Sequence, residues 1–418
     1  MSRKATLFVL LVIATLVVTG CGAGAPPTTA PVPTSAPAPT SAPAPTSAPA
    51  PTSAPAPAGE PIVIAVAGPM TGSGAKEGTW GMYGAEIARD EINAAGGING
   101  RPVELVAYDD KGDPQEGALV AQRIVEDPKV FAVLGPYWSS VMMAANPIYS
   151  EAKMPVIGPT FSSGKISEQG WTNYIRICAT DALQQPQVVA FAVNNMGRQK
   201  IAVFYSNDDY GRGGLEVTKA TAAKLGAEVV DEEPHTTQVD TDFTVQLTRA
   251  QKAGAEAIII VAQYNEGSLI VSQGAQLGLT EDIVFIADPA IMSDVIQERV
   301  DKDTEDAFYI VSAFDPFSDR PVVANFREKF MAKVNELPNE TGSFAYDGLK
   351  VIAEAMAGGA TRETLIQWVK DHGATDLVIG DKIGWDQRGD KSVFSSSVIQ
   401  VKDHRFASAG VSVDTTGL

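Results

Sequence analysis

The folds open to this chain are limited most by a regular alternation of short apolar runs with segments of helical periodicity. Runs of β-branched and other apolar residues predict strands, and apolar residues that recur every three to four positions predict amphipathic helices. Strand–helix–strand units of this kind form parallel sheets that carry helices on both faces. The alternation therefore predicts an α/β fold.

The alternation occurs in two consecutive series, and a chain of this length usually divides into more than one core. The first series has predicted strands at 62–67, 103–108, 130–134 and 155–157 and helices near 78–95, 115–126 and 139–151. The second series has strands at 201–205, 227–232, 257–261, 283–286 and 308–311 and helices near 182–196, 212–225, 242–253 and 266–276. Late elements are helices near 322–335, 343–357 and 362–371 and a short β segment over 376–401.

The two series predict two doubly wound α/β lobes. Because the late helices return the chain to the first series, we expect residues 60–180 and 315–375 to form the first lobe. Residues 181–314 and 376–418 are then expected to form the second.

The first 20 residues have the layout of a secretory signal peptide. Arg3 and Lys4 precede an apolar run over 7–18, which ends at the small residues Thr19 and Gly20. This run is shorter than the roughly 20 apolar residues that a helix needs to cross a bilayer. We therefore expect residues 1–20 to be cleaved from the mature protein.

Residues 21–59 are predicted to form a lipidated N-terminus and a linker. The tetrapeptide at 18–21 resembles a bacterial lipobox, which implies that Cys21 carries a diacylglycerol; a plain cleavage site with an incidental cysteine is the alternative. Residues 22–59 carry no charge, and Thr-Ser-Ala-Pro-Ala-Pro repeats four times over 34–57. This composition favours extended polyproline geometry, so we predict a tether with a reach on the order of 100 Å. A binding role for the repeat is the alternative.

The composition of residues 60–418 narrows the class of partner. These residues include 30 basic and 50 acidic side chains, which argues against nucleic acid or an anionic membrane and favours a small solute. Their only cysteine is Cys178, so no intrachain disulfide is available. The stability of this part must therefore come from its apolar core.

No catalytic signature is present. The sequence lacks a Gly-x-Ser-x-Gly elbow, a phosphate loop and a His-Glu-x-x-His zinc helix, and the glycine-rich stretch 72–78 has the wrong spacing for a dinucleotide. The only histidines are His235, His372 and His404, which we expect at the surface. The acidic run 109–113 lacks the spacing of a calcium loop and is expected to be a solvated turn. The sequence therefore predicts no metal, no cofactor and no enzyme activity.

An ordered series of short motifs resembles the leucine/isoleucine/valine-binding proteins, which have the type I periplasmic binding fold. The motifs are IAVAGPMTG at 64–72, GAE at 84–86, EINAAGGING at 91–100, YDD at 108–110, GPYWSS at 135–140, DYG at 209–211, DF at 242–243, IG at 379–380 and WDQRGD at 385–390. The series spans nearly all of the part that follows the linker. It implies two lobes joined by a hinge, which close over the ligand like a clamp.

The resemblance implies ligand contacts from three positions of the first lobe. Ser139 matches the serine whose hydroxyl and backbone N–H hold the ligand carboxylate, as suits the anion-favouring N-terminus of a helix; an ordinary helix cap is the alternative. Thr160 matches the position whose carbonyl binds the ligand amine, and Ser162 matches a hydroxyl that binds the carboxylate. All three follow predicted strands, at the sheet edge where α/β proteins bind ligands.

The resemblance also implies contacts from the second lobe. Tyr210 and Tyr264 match the aromatic positions that come down on the ligand as the lobes close; tyrosines packed near helix starts are the alternative. Asp288 is the only candidate for the acidic residue that binds the ligand ammonium. An ungapped match would place Pro289 at that position instead.

The sequence departs from the family pattern at three positions. Gly112 and Trp138 stand where the family has its disulfide partners, so an indole lies beside Ser139 and either narrows the pocket or stacks on the ligand. Glu77 stands where an aromatic side chain usually covers the ligand. This departure favours a polar, cationic or amide ligand over leucine; a solvent-facing glutamate at a helix start is the alternative.

The resemblance implies an extracytoplasmic, lipid-anchored solute-binding protein of the periplasm or the cell surface, which captures an amino acid or a related small polar ligand by hinge closure. The implied partners are an ABC permease and its ATPases. The membrane is contacted only through the lipid anchor, nucleic acid is not a partner, and a monomer is expected. A sensor of the same fold, which binds an amide, urea or carboxylate and signals to a partner protein, is the alternative.

Overall fold

The computed structural model describes residues 59–392 and 395–418. The predicted signal peptide, Cys21 and the repeat at 34–57 lie outside the described residues. None of the helices in the described part combines the length and the apolar character that are needed to span a bilayer.

Strands and helices alternate along the described chain. The strands are β1 (Ile62–Gly68), β2 (Val103–Asp109), β3 (Val130–Leu134), β4 (Val156–Gly158), β5 (Tyr174–Arg176), β6 (Lys200–Ser206), β7 (Glu228–His235), β8 (Ala257–Val261), β9 (Val284–Ala287), β10 (Phe308–Ser312), β11 (Ala374–Leu377), β12 (Gly380–Ile383), β13 (Ser397–Lys402) and β14 (Arg405–Ser408). The helices are α1 (Ala75–Ala94), α2 (Pro114–Glu126), α3 (Ser139–Glu151), α4 (Gly164–Glu168), α5 (Asp181–Ala190), α6 (Asp209–Lys224), α7 (Thr244–Lys252), α8 (Tyr264–Gln276), α9 (Asp294–Arg299), α10 (Pro321–Val334), α11 (Glu340–Ala357) and α12 (Leu365–His372). Three short turns are π-helical at Phe191–Asn195 and 3₁₀-helical at Leu279–Glu281 and Pro289–Ile291.

The first sheet contains five parallel strands in the order β2-β1-β3-β4-β5. Every residue of β1 is buried, and its side chains alternate between two apolar clusters. Ile64 and Val66 pack with side chains of α1 and α11, whereas Ala65 and Ala67 pack with side chains of α2 and α3. Burial on both faces explains the uninterrupted apolar run of this strand.

The second sheet contains seven strands, and five of them repeat the arrangement of the first sheet. Strands β6 to β10 are parallel and follow the order β7-β6-β8-β9-β10, while β13 and β14 extend the edge as an antiparallel hairpin. In each sheet the strand order reverses beside the first strand. Ligands of doubly wound folds bind outside the carboxyl ends of the strands at such a point. The predicted two-lobed α/β fold is confirmed.

Polar caps fix the starts of helices that follow these strand ends. The side chain of Asp113 accepts from the first backbone N–H groups of α2, Asp208 does the same for α6, and Asn339 for α11. Each such cap contributes about 1 kcal/mol of stability. The Asp208 cap accepts from the N–H of Tyr210 at 3.0 Å and so sets the position of that residue.

Most predicted elements are confirmed, and the differences have local causes. The strands at 130–134 and 257–261 and the helix at 139–151 have the predicted bounds. Strand β5 and helices α4 and α9 are too short to show a period in the sequence. The single β segment predicted over 376–401 is wrong, since the region forms two antiparallel hairpins in different sheets.

Three connections join the lobes: between β5 and α5, between β10 and α10, and between β12 and β13. Leu377 of β11, Ile383 of β12 and Trp385 pack in the core that surrounds the first sheet. After β12 the chain returns to the second sheet, where its next strand is β13. This packing differs from the boundary expected after residue 375, because buried apolar residues continue in the first lobe up to Trp385.

Candidate functional site

A cavity of about 60 Å³ lies where the carboxyl ends of the parallel strands of the two sheets face one another. Seven of the eight ligand-binding residues predicted from the sequence line it: Glu77, Trp138, Ser139, Thr160, Ser162, Tyr210 and Asp288. Each comes from the segment that follows β1, β3, β4, β6 or β9. Residues far apart in the sequence therefore meet because both lobes present the same edge of the sheet.

Ser139 is the first residue of α3 and is 2 % exposed. Its hydroxyl oxygen accepts hydrogen bonds from the backbone N–H groups of Ser162 and Ser163, both at 3.2 Å. Thr160 donates its hydroxyl to the carbonyl of Tyr137 at 2.9 Å, which ties the same loop to the segment before α3. Because the oxygen of Ser139 is already an acceptor, its O–H remains available to donate to a ligand oxygen.

Asp288 is buried at the end of β9 and is held by three donors. One carboxylate oxygen accepts from the hydroxyl of Tyr210 and from the side chain of Gln185 at 3.1 Å. The other accepts from the backbone N–H of Ala290 at 3.1 Å. Burial raises the pKa of Asp288 to about 6, and the hydrogen bond from Tyr210 acts in the opposite direction. The carboxylate is therefore oriented and poorly solvated, which suits a cationic partner.

Glu77 forms a buried pair with Trp138. The indole N–H donates to Oε2 of Glu77, and Oε1 has no hydrogen-bond partner among the described residues. Burial raises the pKa of Glu77 to about 8, and the negative charges of Glu266 and Asp110 add to the rise. The alternative of a solvent-facing glutamate is wrong, since Glu77 is 6 % exposed.

Asp110 corrects the expectation of a solvated turn at 109–113. It is buried, its Oδ1 accepts from the N–H of Gly112 at 2.9 Å, and burial raises its pKa to about 7. Gly112 is in the left-handed region, with φ of 69°, and lies against the ring of Trp138. Gly112 and Trp138, which stand where the family has its disulfide partners, therefore lie next to each other. The glycine leaves room for the indole ring.

Gly112→Ala is expected to lower the free energy of unfolding by about 2 to 4 kcal/mol. A Cβ at this position would lie 2.4 Å from the Trp138 ring, and the left-handed backbone adds strain for any residue with a side chain. Gly278→Ala is the matched control, because Gly278 has φ of 72° with nothing within 4 Å. Urea denaturation measures both. Equal losses would show that the indole contact contributes nothing.

Tyr264 is the predicted residue that lies outside the cavity lining. Its hydroxyl donates to the carbonyl of Ser73, and its ring packs edge-on against Trp80 with 5.7 Å between the ring centres. The preceding residue, Gln263, lines the cavity instead. Tyr264 is engaged by the first lobe because the start of α8 faces the start of α1.

Further contacts run between the lobes outside the cavity. Asn265 donates to the carbonyl of Ser73 at 2.8 Å, and Gln238 donates to the carbonyl of Lys111 at 3.3 Å. Lys76 of α1 forms an ion pair with Asp294 of α9. None of these residues lines the cavity.

The cavity also contains residues that sequence reasoning missed. They are Trp80, Tyr137, Cys178, Gln184, Gln263, Ala290, Met292, Asn339, Glu340 and Thr341, and Pro289, the alternative to Asp288, lines the cavity as well. Trp80 lies one helical turn after Glu77, so helical spacing would have identified it. The sequence carries no local signal for Glu340, which starts α11 and accepts from Ser312 at 2.8 Å and from the N–H of Ala313 at 2.7 Å. Burial raises the pKa of Glu340 to about 7.

Arg176 at the end of β5 holds the loop between β4 and α4. Its guanidinium donates to the carbonyls of Phe161 and Ser163, at 3.3 and 3.1 Å, and to the hydroxyl of Ser167 at 2.9 Å. Its Nε lies 3.0 Å from a carboxylate oxygen of Asp390. The arginine side chain is fully buried. Through these hydrogen bonds it stabilises the loop that carries two of the predicted ligand-binding residues.

The histidines do not form a metal site in the part that the structure describes, where no group of three or more potential ligands is found. His372 and His404 are exposed, as predicted. The prediction of a surface position is wrong for His235, which is 2 % exposed and packs edge-on against Phe243 with 5.7 Å between the ring centres. Burial lowers the pKa of His235 to about 4.

Comparison with known proteins identifies the class to which this fold and site belong. Residues 61–405 match the family described as periplasmic binding protein, so the chain belongs to the periplasmic binding protein family. This family consists of substrate-binding proteins of ABC transporters and not of enzymes. Membership implies an extracytoplasmic location.

Individual relatives cover nearly all of the described chain. An amino acid binding protein of Pseudomonas aeruginosa is 31 % identical over 348 residues, which cover 82 % of this chain and 90 % of the relative. A leucine-, isoleucine-, valine-, threonine- and alanine-binding protein of the same species is 29 % identical with the same coverage. A leucine-binding protein of Thermotoga maritima has a similar structure, with a TM-score of 0.76, 27 % identity and coverage of 84 % of this chain and 98 % of the other. The substrate-binding protein of a branched-chain amino acid transporter of Streptococcus pneumoniae, solved with isoleucine, gives a TM-score of 0.75, 25 % identity and coverage of 83 % and 98 %.

Proposed function

We propose that this chain is a lipid-anchored solute-binding protein that captures an amino acid or a related small polar ligand between its lobes and delivers it to an ABC importer. One observation carries the proposal: a serine at a helix N-terminus and a buried aspartate line the same cavity. An α-amino acid presents a carboxylate and an ammonium group, which these two features can bind. Relatives named as amino acid binding proteins support this choice.

Each lining residue has a role in this proposal. Ser139 and Ser162 bind the carboxylate, and the carbonyl of Thr160 and the side chain of Asp288 bind the ammonium group. Tyr210 orients Asp288 through its hydroxyl. Trp138 narrows the cavity, while Tyr264 contributes by joining the lobes around the ligand.

The N-terminal segment supplies the anchor in this proposal. After cleavage of residues 1–20, Cys21 carries the lipid and the proline-rich repeat acts as a tether. The protein then acts as a monomer that presents both lobes to a permease and its ATPases. Release of the protein from membranes by Cys21→Ser would support this part of the proposal.

The binding function is tested by thermal unfolding of the purified protein with the common amino acids, small amides and short carboxylates. A ligand at 100 times its Kd raises the free energy of unfolding by about 2.7 kcal/mol, which gives a measurable rise in Tm. The absence of any rise across all three classes would contradict the proposal.

Ser139→Ala is expected to weaken binding of the amino acid that gives the largest rise by roughly 10- to 100-fold. The substitution removes one hydrogen bond to a charged carboxylate at a position that is 2 % exposed. Ser140→Ala is the matched control, since Ser140 is the next residue of α3 and does not line this cavity. Calorimetric titration measures both variants, and an equal effect of the two would refute the role of Ser139.

A further inference from the structure

The side chain of Glu77 is a buried polar group of the cavity that has no role in the proposed function. It is 6 % exposed and lines the cavity, and its Oε1 has no hydrogen-bond partner among the described residues. The other oxygen is fixed by the indole N–H of Trp138. A buried carboxyl oxygen without a partner is unfavourable, so an occupant of the cavity would gain from contacting it.

The charged groups around the cavity indicate what kind of ligand it can bind. The lining contains the carboxyl groups of Glu77, Asp288 and Glu340 and no lysine, arginine or histidine. Asp288 is assigned to the ammonium group of the ligand, and Glu340 accepts two hydrogen bonds at the end of β10. The neighbouring Lys76 does not line the cavity; it pairs with Asp294, and its ammonium group lies over the ring of Trp80, 5.6 Å from the ring centre. Glu77 is therefore an additional carboxyl group of the cavity, and no lysine, arginine or histidine in the lining stabilises its charged form.

Aromatic side chains surround this carboxyl group. Trp138 contacts it directly, and Trp80 lies one helical turn further along α1, in the lining of the same cavity. Indole rings attract cations through their faces, most strongly where water is excluded. Asp110, whose Oδ2 also has no partner among the described residues, adds negative potential nearby.

We infer that the ligand carries a second cationic nitrogen, which binds Oε1 of Glu77 beside the indoles of Trp80 and Trp138. The inference rests on the proposed function, since Asp288 must hold the α-ammonium group. It gives the ligand class as a diamino acid, because the carboxyl groups of Asp288 and Glu77 line the same cavity and can each bind one ammonium group. The raised pKa of Glu77 agrees with it, because burial disfavours the negative charge of this carboxyl group and a bound cation would stabilise that charge.

The test compares three amino acids by calorimetric titration of the purified protein. 2,4-Diaminobutyrate and norvaline differ only in a terminal ammonium against a methyl group, and asparagine offers a neutral amide. We expect 2,4-diaminobutyrate to bind at least about 10-fold more tightly than the other two. Tighter binding of norvaline or of asparagine would overturn the inference and leave the proposed function intact. Failure of all three amino acids to bind would overturn the inference, whereas the proposed function would fall only if small amides and short carboxylates also gave no rise in Tm.

The variant Glu77→Gln keeps the shape of the side chain and an acceptor for Trp138 but removes the charge. It should weaken binding of 2,4-diaminobutyrate by roughly 10- to 100-fold and leave binding of norvaline within about 3-fold. Glu86→Gln on the same helix is the matched control, because Glu86 pairs with Lys333 at 2.7 Å and does not line the cavity. An equal loss for both ligands would overturn the inference, and the wild-type comparison remains decisive if Glu77→Gln fails to fold.

Discussion

Asp288→Asn is expected to weaken binding of an α-amino acid by roughly 30- to 1000-fold, or about 2 to 4 kcal/mol. The carboxylate is 1 % exposed, and Tyr210, Gln185 and Ala290 orient it, so asparagine preserves the volume but loses the charge that holds the ammonium group. Calorimetric titration with an amino acid and with its des-amino carboxylic acid measures the effect. The des-amino acid should bind both forms of the protein equally, because it has no ammonium group.

The strand that carries Asp288 offers a matched control for this prediction. Asp282 lies just before β9 and is exposed, whereas Asp288 follows the same strand. Asp282→Asn should leave Kd unchanged. A loss of affinity that is equal for the amino acid and its des-amino analogue would show that Asp288 acts on the shape of the site and not on the ammonium group.

The pKa of Asp288 adds a pH dependence to the same contact. Because burial raises this pKa to about 6 from the ordinary 3.8, the carboxyl group gains its proton at a higher pH than an exposed aspartate does. A proton then competes with the ligand ammonium group. Affinity should therefore fall as the pH is lowered through 6, and binding of the des-amino acid should lack this contribution from Asp288.

Arg176→Met is expected to lower the free energy of unfolding by about 3 to 5 kcal/mol. The substitution leaves buried Asp390 with only the longer pair to exposed Arg388, and it removes the donors to two carbonyls of the loop between β4 and α4 and to the hydroxyl of Ser167 in α4. Urea denaturation measures the loss. Affinity should fall as well, since that loop carries Thr160 and Ser162 into the cavity.

A nearby arginine provides the control for Arg176. The side chain of Arg388 is 66 % exposed and pairs with Asp386 at 3.1 Å and with Asp390 at the longer distance of 3.8 Å, so Arg388→Met should cost less than about 1 kcal/mol. The double variant Arg176→Met, Asp390→Leu should recover part of the stability, because it removes both buried charges. A small and similar cost for both arginine variants would contradict the structural role of Arg176.

The positions of the main site residues could be predicted because they depend on strand order. Ser139, Thr160 and Asp288 each follow a parallel strand, and such strands bring their carboxyl ends to one edge. Strand bounds are readable from apolar runs, as at β3 and β8. The arrangement of these residues around one cavity therefore follows once two doubly wound lobes are expected.

The residues that could not be predicted depend on contacts between distant elements. Arg176 and Glu340 act through partners in other parts of the chain, and neither belongs to a motif. His235 is buried by the packing of α7 on the second sheet, which its own neighbours in the sequence do not show. The strands of the two hairpins after α12 are also too short for an alternation of apolar and polar residues to be recognised in the sequence.

The contacts between the lobes outside the cavity separate two properties of the protein. The hydrogen bonds to the carbonyl of Ser73 and the ion pair of Lys76 with Asp294 involve residues that do not line the cavity. We therefore expect these contacts to favour closure of the lobes by the same free energy for every solute. Changes there multiply all affinities by one factor and leave their ratios unaltered. The residues that line the cavity determine which solute binds best. The contacts between the lobes outside the cavity determine how tightly all solutes bind, without changing their order.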